Sequence, residues 1–315
     1  LNNLNSNNTV LSDITIGVTK PEDVNNSSNI VLEGLSKGSQ VGLTANAQDA
    51  DSDVSYSLTD SSSGSFKIDS TTGVVTTDAV LDYETLSSHT ITVEALSTDG
   101  SKNSSDFTIN VTDVNEPITA VSDANVSSDT VPENSSGDTL VGVTASATDE
   151  DSGDTVSYSL TDDAGGRFKI NETTGELSVT DSSDLNFEDK NSHMVTVKAT
   201  STDGTSNTKD FTINVSNVNE PLINISDLNT NDNKIIENAS ENALAGITVR
   251  TSDPDIGTNI TYSLTDDASG RFQINPDTGV ISVSKDAELD YEKNVSHKVT
   301  VEAKSSDGSI ISKDF

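Results

Sequence analysis

Apolar and polar residues alternate over short stretches of this chain, and turn residues interrupt them at short intervals. In the first third the alternation runs through Ile14-Thr-Ile16-Gly-Val18, which predicts a first strand, and reopens at Ile30-Val31-Leu32-Glu33 after the polar loop Asn25–Asn29. It continues through Val41–Ala45, Ser55–Leu58, Phe66–Ile68 and Val74–Thr76, with Thr72-Gly73 turning between the last two. His89 to Ala95 places Ile91, Val93 and Ala95 on one face, and Asp99-Gly100 turns the chain into Phe107, Ile109 and Val111. No stretch shows helical spacing, so the pattern predicts about seven short strands and an all-β chain.

The same pattern then returns twice. Tyr56 is matched by Tyr158 and Tyr262, Phe66 by Phe168 and Phe272, and Gly73 by Gly175 and Gly279. Leu81-Asp82-Tyr83-Glu84 comes back as Leu185-Asn186-Phe187-Glu188 and Leu289-Asp290-Tyr291-Glu292, and His89, His193 and His297 share one position. Asp113-Val114-Asn115-Glu116-Pro117 returns as Asn217-Val218-Asn219-Glu220-Pro221, a shift of 217 − 113 = 104 residues. Solenoid units run only about 20 to 50 residues, so this period is that of whole domains. Each Pro lacks the N–H a ladder needs and is read as ending the strand run before it, which makes the Asn-Glu-Pro stretch a hinge. The expected organisation is a tail at 1–12 and repeats at 13–116, 117–220 and 221–315. The third repeat stops at Asp314-Phe315, where its siblings continue through Thr-Ile-Asn-Val, so the sequence reads as a piece of a longer array lacking that strand. Seven strands per hundred residues, with turns between them, point to tandem immunoglobulin-like antiparallel β-sandwiches.

Composition alters this picture in one respect. The chain holds 52 acidic and 17 basic residues, a formal net charge of −35, with 31% hydrophobic residues. That sign argues against nucleic acid or an anionic membrane as partner. Low hydrophobicity with high charge ordinarily means disorder, yet the strand pattern is regular, so something should neutralise the charge. Cysteine and tryptophan are both absent, which excludes disulfides and thiolate metal sites and leaves a thin core of Tyr, Phe, Ile, Leu and Val. No run approaches the roughly 18 apolar residues of a membrane span, and the start is not a signal peptide.

The acidic residues are not scattered. Glu33, Glu133 and Glu237 each stand 16 positions before an acidic loop that begins at Asp49, Asp149 or Asp253. The loops read Asp49-Ala-Asp51, Asp149-Glu-Asp151 and Asp253-Pro-Asp255-Ile-Gly257-Thr-Asn259. They lack the Glu at position twelve and the flanking helices of an EF-hand. Oxygen ligands from loops without nearby His or Cys suit Ca²⁺ rather than Zn²⁺. Alone, each motif reads equally well as a solvated turn. The three histidines open core strands and read as structural, and nothing like a nucleophile elbow is present, so the chain is not read as an enzyme. Asn-x-Ser/Thr triplets are frequent, but in so Asn-, Ser- and Thr-rich a chain they carry little weight.

Taken together and in this order, the motifs resemble cadherin repeats of the bacterial kind. The carriers are the early Glu133, Leu81-Asp82-Tyr83-Glu84, the linker Asp113–Pro117, the loop Asp253–Asn259 and the Asp203-Gly204 turn. The resemblance implies Ca²⁺ clusters at each junction. At the first, the implied ligands are Glu33, Asp82, Glu84, Asn115, Glu116, the Val114 carbonyl, Asp149, Asp151 and Asp203, with Asp113 set aside as a linker hydrogen bonder. At the second they are Glu133, Glu188, Asn219, Glu220, Asp253, Asp255, Asn259 and Asp307. Three features depart from the family: a shorter linker with Glu in place of Asp, Asn186 where the siblings have Asp, and a first-repeat loop two residues shorter between Asp51 and Tyr56 than its counterpart between Asp151 and Tyr158.

The function so implied is a Ca²⁺-stiffened extracellular or cell-surface segment of a large bacterial protein, serving as stalk or adhesion module. Its partners would be Ca²⁺ and another copy, a surface protein or a polysaccharide, with no membrane contact by this segment. A carbohydrate-binding module is a second reading, though sugar platforms favour exposed aromatics. A third is a filament subunit joined by strand donation, with 10–18 as the donor.

Overall fold

The computed structural model describes residues 17–181 and 184–315, and the described residues contain strands and turns but no helix. The expected first strand falls largely outside them. Its tail end, Gly17-Val18, is not a strand, although Val18 is buried and its amide donates to Ser101 Oγ at 2.9 Å.

By contact the chain divides into two units. The first contains the chain up to Thr119 together with Thr148–Val156 and Thr200–Ser206; the second contains Ala120–Ala147, Ser157–Ala199 and Asn207–Phe315.

In the first unit, strands β1 (Glu22–Asp23), β2 (Ile30–Leu32), β3 (Gln40–Asn46), β4 (Val54–Asp60), β5 (Phe66–Ile68), β6 (Val74–Thr77), β7 (Ser88–Ser97) and β8 (Lys102–Thr112) form two sheets. Their orders are β1-β3-β6-β5 and β2-β8-β7-β4. Alternation decides which side chains meet between the sheets, because successive residues of a strand point to opposite faces. Val41, Leu43 and Ala45 of β3 face Ile91, Val93 and Ala95 of β7, and Tyr56, Phe66, Val75, Ile109 and Val111 complete the core. Tyr56 closes it on one side, its hydroxyl accepting the Ala47 N–H at 2.9 Å. Gly73 is required where β6 begins. It sits at φ +70°, and a Cβ there would lie 2.0 Å from the Ala45 carbonyl oxygen.

Hydrophobic alternation cannot report strand direction, and one pairing differs from the expected antiparallel ladder. β2 runs parallel to the end of β8, with Ile30, Val31 and Leu32 opposite Asn110, Val111 and Thr112. The strand ends at Thr112, close to the expected Val111, but Pro117 is not what ends it. β8 stops at Thr112 because the next amides leave the ladder: the Val114 N–H turns to the Glu33 carboxylate.

The second unit repeats this plan. Thr130–Pro132 runs parallel to Asn214–Ser216, and Val131, Val143, Phe168, Leu177, Val195 and Ile213 are buried. In the third repeat the sheet carrying Ile260–Asp266, Thr300–Ser305 and Ile310–Asp314 has three strands. Lys234–Ile236, the counterpart of β2, is not a strand, and Ile236 is 78% exposed. Between it and Ser296–Val299 lies a groove of about 560 Å³ lined by Ile235, Phe272, Tyr291, Val295 and Val299.

Candidate functional site

Glu33 follows directly on β2, and the parallel pairing of that strand brings it under the chain leaving β8. It is 6% exposed, and both its oxygens are held by backbone amides: Oε2 accepts from Tyr83 at 2.6 Å and Oε1 from Val114 at 2.8 Å. Asp82 is fixed by Thr85, whose amide and hydroxyl both donate to it at 2.8 Å. Glu84 differs: neither of its buried oxygens has a donor.

The linker and two loops of the second repeat's sequence belong to the same unit. The Glu116 amide donates to Asp151 Oδ2 at 2.9 Å, and the Asn115 side-chain amide donates to Asp203 Oδ2 at the same distance. Asp203 is in turn gripped by the Thr205 amide at 2.6 Å. Asp149 accepts the Asp151 amide through Oδ1, leaving Oδ2 buried without a partner, and Glu116 Oε2 is likewise bare.

These carboxylates converge. One oxygen each of Glu33, Asp82 and Glu84 lies within 4.8 Å of the others; the same holds for Glu84, Asp113 and Asp151, and for Asp149, Asp151 and Asp203. The three groups overlap through Glu84 and Asp151 and form a continuous run of anionic oxygen. Asp113, which the sequence leaves as a linker hydrogen bonder, is brought into the middle group. Val114 contributes its amide to Glu33 and is itself exposed.

Two carboxylates about 4 Å apart repel by about 1 kcal/mol in water and about 4 at an effective dielectric of 20. Burial first and this crowding second act on the carboxyls. Burial, followed by the charges of Glu33 and Asp113, pushes the Glu84 carboxyl up; burial and then Glu33, Asp151 and Glu84 do the same to Glu116. Asp151 is also raised, first by burial. Asp82 moves the other way because the Thr85 amide and hydroxyl stabilise its anion. Asp203 is lowered too: burial opposes its ionisation, but the bonds from Thr205 and Asn115 outweigh it.

In the second unit Glu133 is 2% exposed and holds the same two amides, Phe187 at 2.8 Å and Val218 at 2.7 Å. It groups with Glu188 and Glu220. The Glu220 amide donates to Asp255 Oδ2 at 2.9 Å, while Asp255 Oδ1, Glu220 Oε2 and both Glu188 oxygens are buried without donors. Burial raises Glu188 and Glu220, with Glu133 and Asp255 adding to it. Asp253 accepts the Asp255 amide at 3.0 Å and the Ser305 hydroxyl, and Asp307 accepts the Ser309 amide at 2.7 Å.

Two asparagines that the resemblance implies as ligands have their N–H groups engaged within the protein. The Asn219 side-chain amide donates to the Glu220 carbonyl at 3.5 Å and the Asn259 backbone amide to Ser306 Oγ at 3.0 Å, which leaves the oxygens of both residues uncommitted by these bonds. Asn134, noted in the sequence only as an Asn-x-Ser triplet, donates to Glu220 Oε1 at 2.6 Å. Gly34 stands at its place in the first repeat, and that difference is the signal that could have marked it.

The donor set is hard oxygen throughout, without sulfur or imidazole, and several buried oxygens lack any proton donor. A divalent cation that prefers six to eight oxygen ligands fits such a set. Another acidic group, Asp49, Asp51 and Asp99, lies in the first unit. Among the described residues no helix is long and apolar enough to cross a membrane.

Comparison with known proteins agrees with the sandwich and its order. The chain is 31% identical over 275 residues to Protocadherin Fat 2 of Rattus norvegicus, a match covering 81% of this chain and 6% of that protein. It is 29% identical over 288 residues to Cadherin-99C of Drosophila melanogaster, covering 87% of the chain and 16% of the relative. It thus spans a small part of the length of these relatives. Among solved structures, mouse Cadherin-23 EC22-24 superposes with a TM-score of 0.61 at 23% identity, covering 91% of this chain and 92% of that one. The extracellular cadherin domains 3-6 of Protocadherin Gamma B2 give 0.65 at 22% identity, covering 93% and 71%. The family model described as the cadherin domain matches residues 30–112, 128–216 and 233–312, and the chain belongs to that family.

Proposed function

We propose that this chain is a Ca²⁺-stiffened segment of an extracellular or cell-surface protein, serving as a stalk or adhesion module. The observation that carries the reading is the overlap of carboxylate groups through Glu84 and Asp151, with buried oxygens that have no donor. Cadherin domains as a family are extracellular adhesion modules that bind Ca²⁺.

At the first junction the holding residues are Glu33, Asp82, Glu84, Asp113, Glu116, Asp149, Asp151 and Asp203. At the second they are Glu133, Glu188, Glu220, Asp253, Asp255 and Asp307. Bound Ca²⁺ supplies positive charge where the chain has placed only negative. The chain's own part is to fix the ligands in advance. Glu33 and Glu133 lock a linker amide to the repeat before it, and Asp151 and Asp255 lock the next linker amide to an acidic loop. With the carboxylates unneutralised, their repulsion works against these bonds.

Extracellular modules bind Ca²⁺ at about 10⁻⁴ to 10⁻³ M, a range that free calcium outside cells fills. Small-angle scattering of the chain in millimolar Ca²⁺ and then in chelator tests the reading. A longer, stiffer particle with a higher melting temperature is expected in Ca²⁺. Superimposable profiles and equal melting temperatures would overturn it.

A further inference from the structure

The middle carboxylate group is not the same at the two junctions. At the first, Glu84 and Asp151 are joined by Asp113. Moving 104 positions along the chain gives Glu188, Asp255 and Asn217, so a neutral amide stands where the first junction has a charge. A second charge is lost nearby, since Asn186 replaces Asp82. The buried part of the seat is nevertheless retained. Asp255 is 6% exposed and its Oδ1 has no donor, and neither Glu188 oxygen has one either. Asn134 also occupies one oxygen of Glu220 from the side, where Gly34 of the first repeat has no side chain to do so.

We propose that Asn217 makes the seat between Glu188 and Asp255 weaker than its counterpart between Glu84 and Asp151, so that the two junctions fill at different Ca²⁺ concentrations. The inference rests on the Ca²⁺ reading above and adds an order to it. As calcium rises, the junction built on Asp113 closes first. Over an intermediate range one linker is rigid while the other still swings, and the chain responds in two stages. Ligand charge count helps set the affinity of such sites, so one carboxylate fewer weakens the seat.

Calorimetric titration of the full chain with CaCl₂ tests this with two exchanges at exposed positions, Asn217→Asp and Asp113→Asn. Wild type is expected to show a tight and a weak class of events. N217D should tighten the weak class measurably, toward the affinity of the tight one, and D113N should move an event from the tight class into the weak one. The melting temperature of each variant in chelator reports whether folding is intact. A single affinity class in wild type that neither exchange splits or shifts would overturn the unequal filling while leaving Ca²⁺ binding in place. Absence of any calcium heat in wild type would overturn both readings.

Discussion

The Val114 amide and the Glu33 carboxylate, 81 positions apart in the chain, are joined by a hydrogen bond of 2.8 Å. The second Glu33 oxygen takes the Tyr83 amide, so each oxygen of this carboxylate has a backbone donor. Glu84, its neighbour in the same acidic group, has none.

Removing these two charges should therefore have opposite effects in chelator. Glu33→Ala leaves two amides without their acceptor and should lower stability by about 1 to 2 kcal/mol. Glu84→Gln removes a desolvated charge that Glu33 and Asp113 repel and should raise the stability of the calcium-free chain. Both should weaken Ca²⁺ binding. Urea denaturation in chelator and in Ca²⁺ checks the pair; a loss of stability on Glu84→Gln in chelator would contradict the assignment.

The histidines give a pH signature. His89 and His193 are buried, each edge-on to a phenylalanine ring, at 5.2 Å from Phe66 and 5.9 Å from Phe168. Burial holds both imidazoles below their ordinary range, and at His193 the positive charges of Lys190 and Arg167 add to the effect while Asp189 opposes it. The folded state therefore prefers the neutral rings. Their contribution is complete above the unfolded pKa, about 6.5, and is lost as pH falls through the lower folded value. Melting curves between about pH 7 and pH 5 should fall faster for wild type than for a His89→Gln, His193→Gln double variant. Parallel curves would rule this out. Taking the difference between variants isolates the rings from the junction carboxylates.

The groove of the third repeat should accept a strand. In the first repeat Ile109 and Val111 are buried, and β2 lies parallel along the end of β8. In the third, Val299 is paired through both its backbone groups with Phe315, which points an added strand into the space beside Ile236. Appending Thr-Ile-Asn-Val-Ser after Phe315 should raise the melting temperature and slow amide exchange at Lys234–Ile236. The same extension with Asp at both apolar positions should do neither. If the two extensions behave alike, the groove has no such role.

Gly175 offers a backbone test. At φ +72° a Cβ would stand 2.1 Å from the Ala145 carbonyl oxygen, whereas Gly204, at φ +101°, has open space around it. Gly204→Ala carries backbone strain of about 1 to 2 kcal/mol. Gly175→Ala adds displacement of a neighbouring strand and should cost clearly more in urea denaturation. Equal losses would mean that the contact relaxes freely.

The strand positions were legible because a sandwich half-buries every strand, and half-burial writes itself as alternation: Val41, Leu43 and Ala45 are buried while Gly42 and Thr44 between them are only half-buried. Strand direction leaves no such mark, so the parallel run of Ile30–Leu32 along β8 was hidden. The end of β8 lies within a residue of the run read through Val111, but its cause was hidden for a related reason. Pro117 looks like the stop, but the chain leaves the ladder at Thr112, drawn off by an acid 81 positions upstream of Val114. Local sequence cannot show that competition. The acidic motifs were visible as a repeated order, whereas the place of Asp113 depends on Glu84 and Asp151 meeting it through tertiary structure. Asn134 was invisible because its effect lies in one side-chain bond to Glu220.

The parallel pairing of β2 with β8 also decides how a repeat meets tension. A pull that enters through the chain before Ile30 and leaves through the chain after Thr112 acts in opposite directions on two strands that point the same way. The bonds between Ile30–Leu32 and Asn110–Thr112 are then loaded in shear and share the force, instead of opening one after another from an end. Glu33 stands just where the load leaves β2, its bond to the Val114 amide lying beyond the last pair of the ladder. The same acid that anchors the linker thus clamps the point at which a stretched repeat would begin to slip.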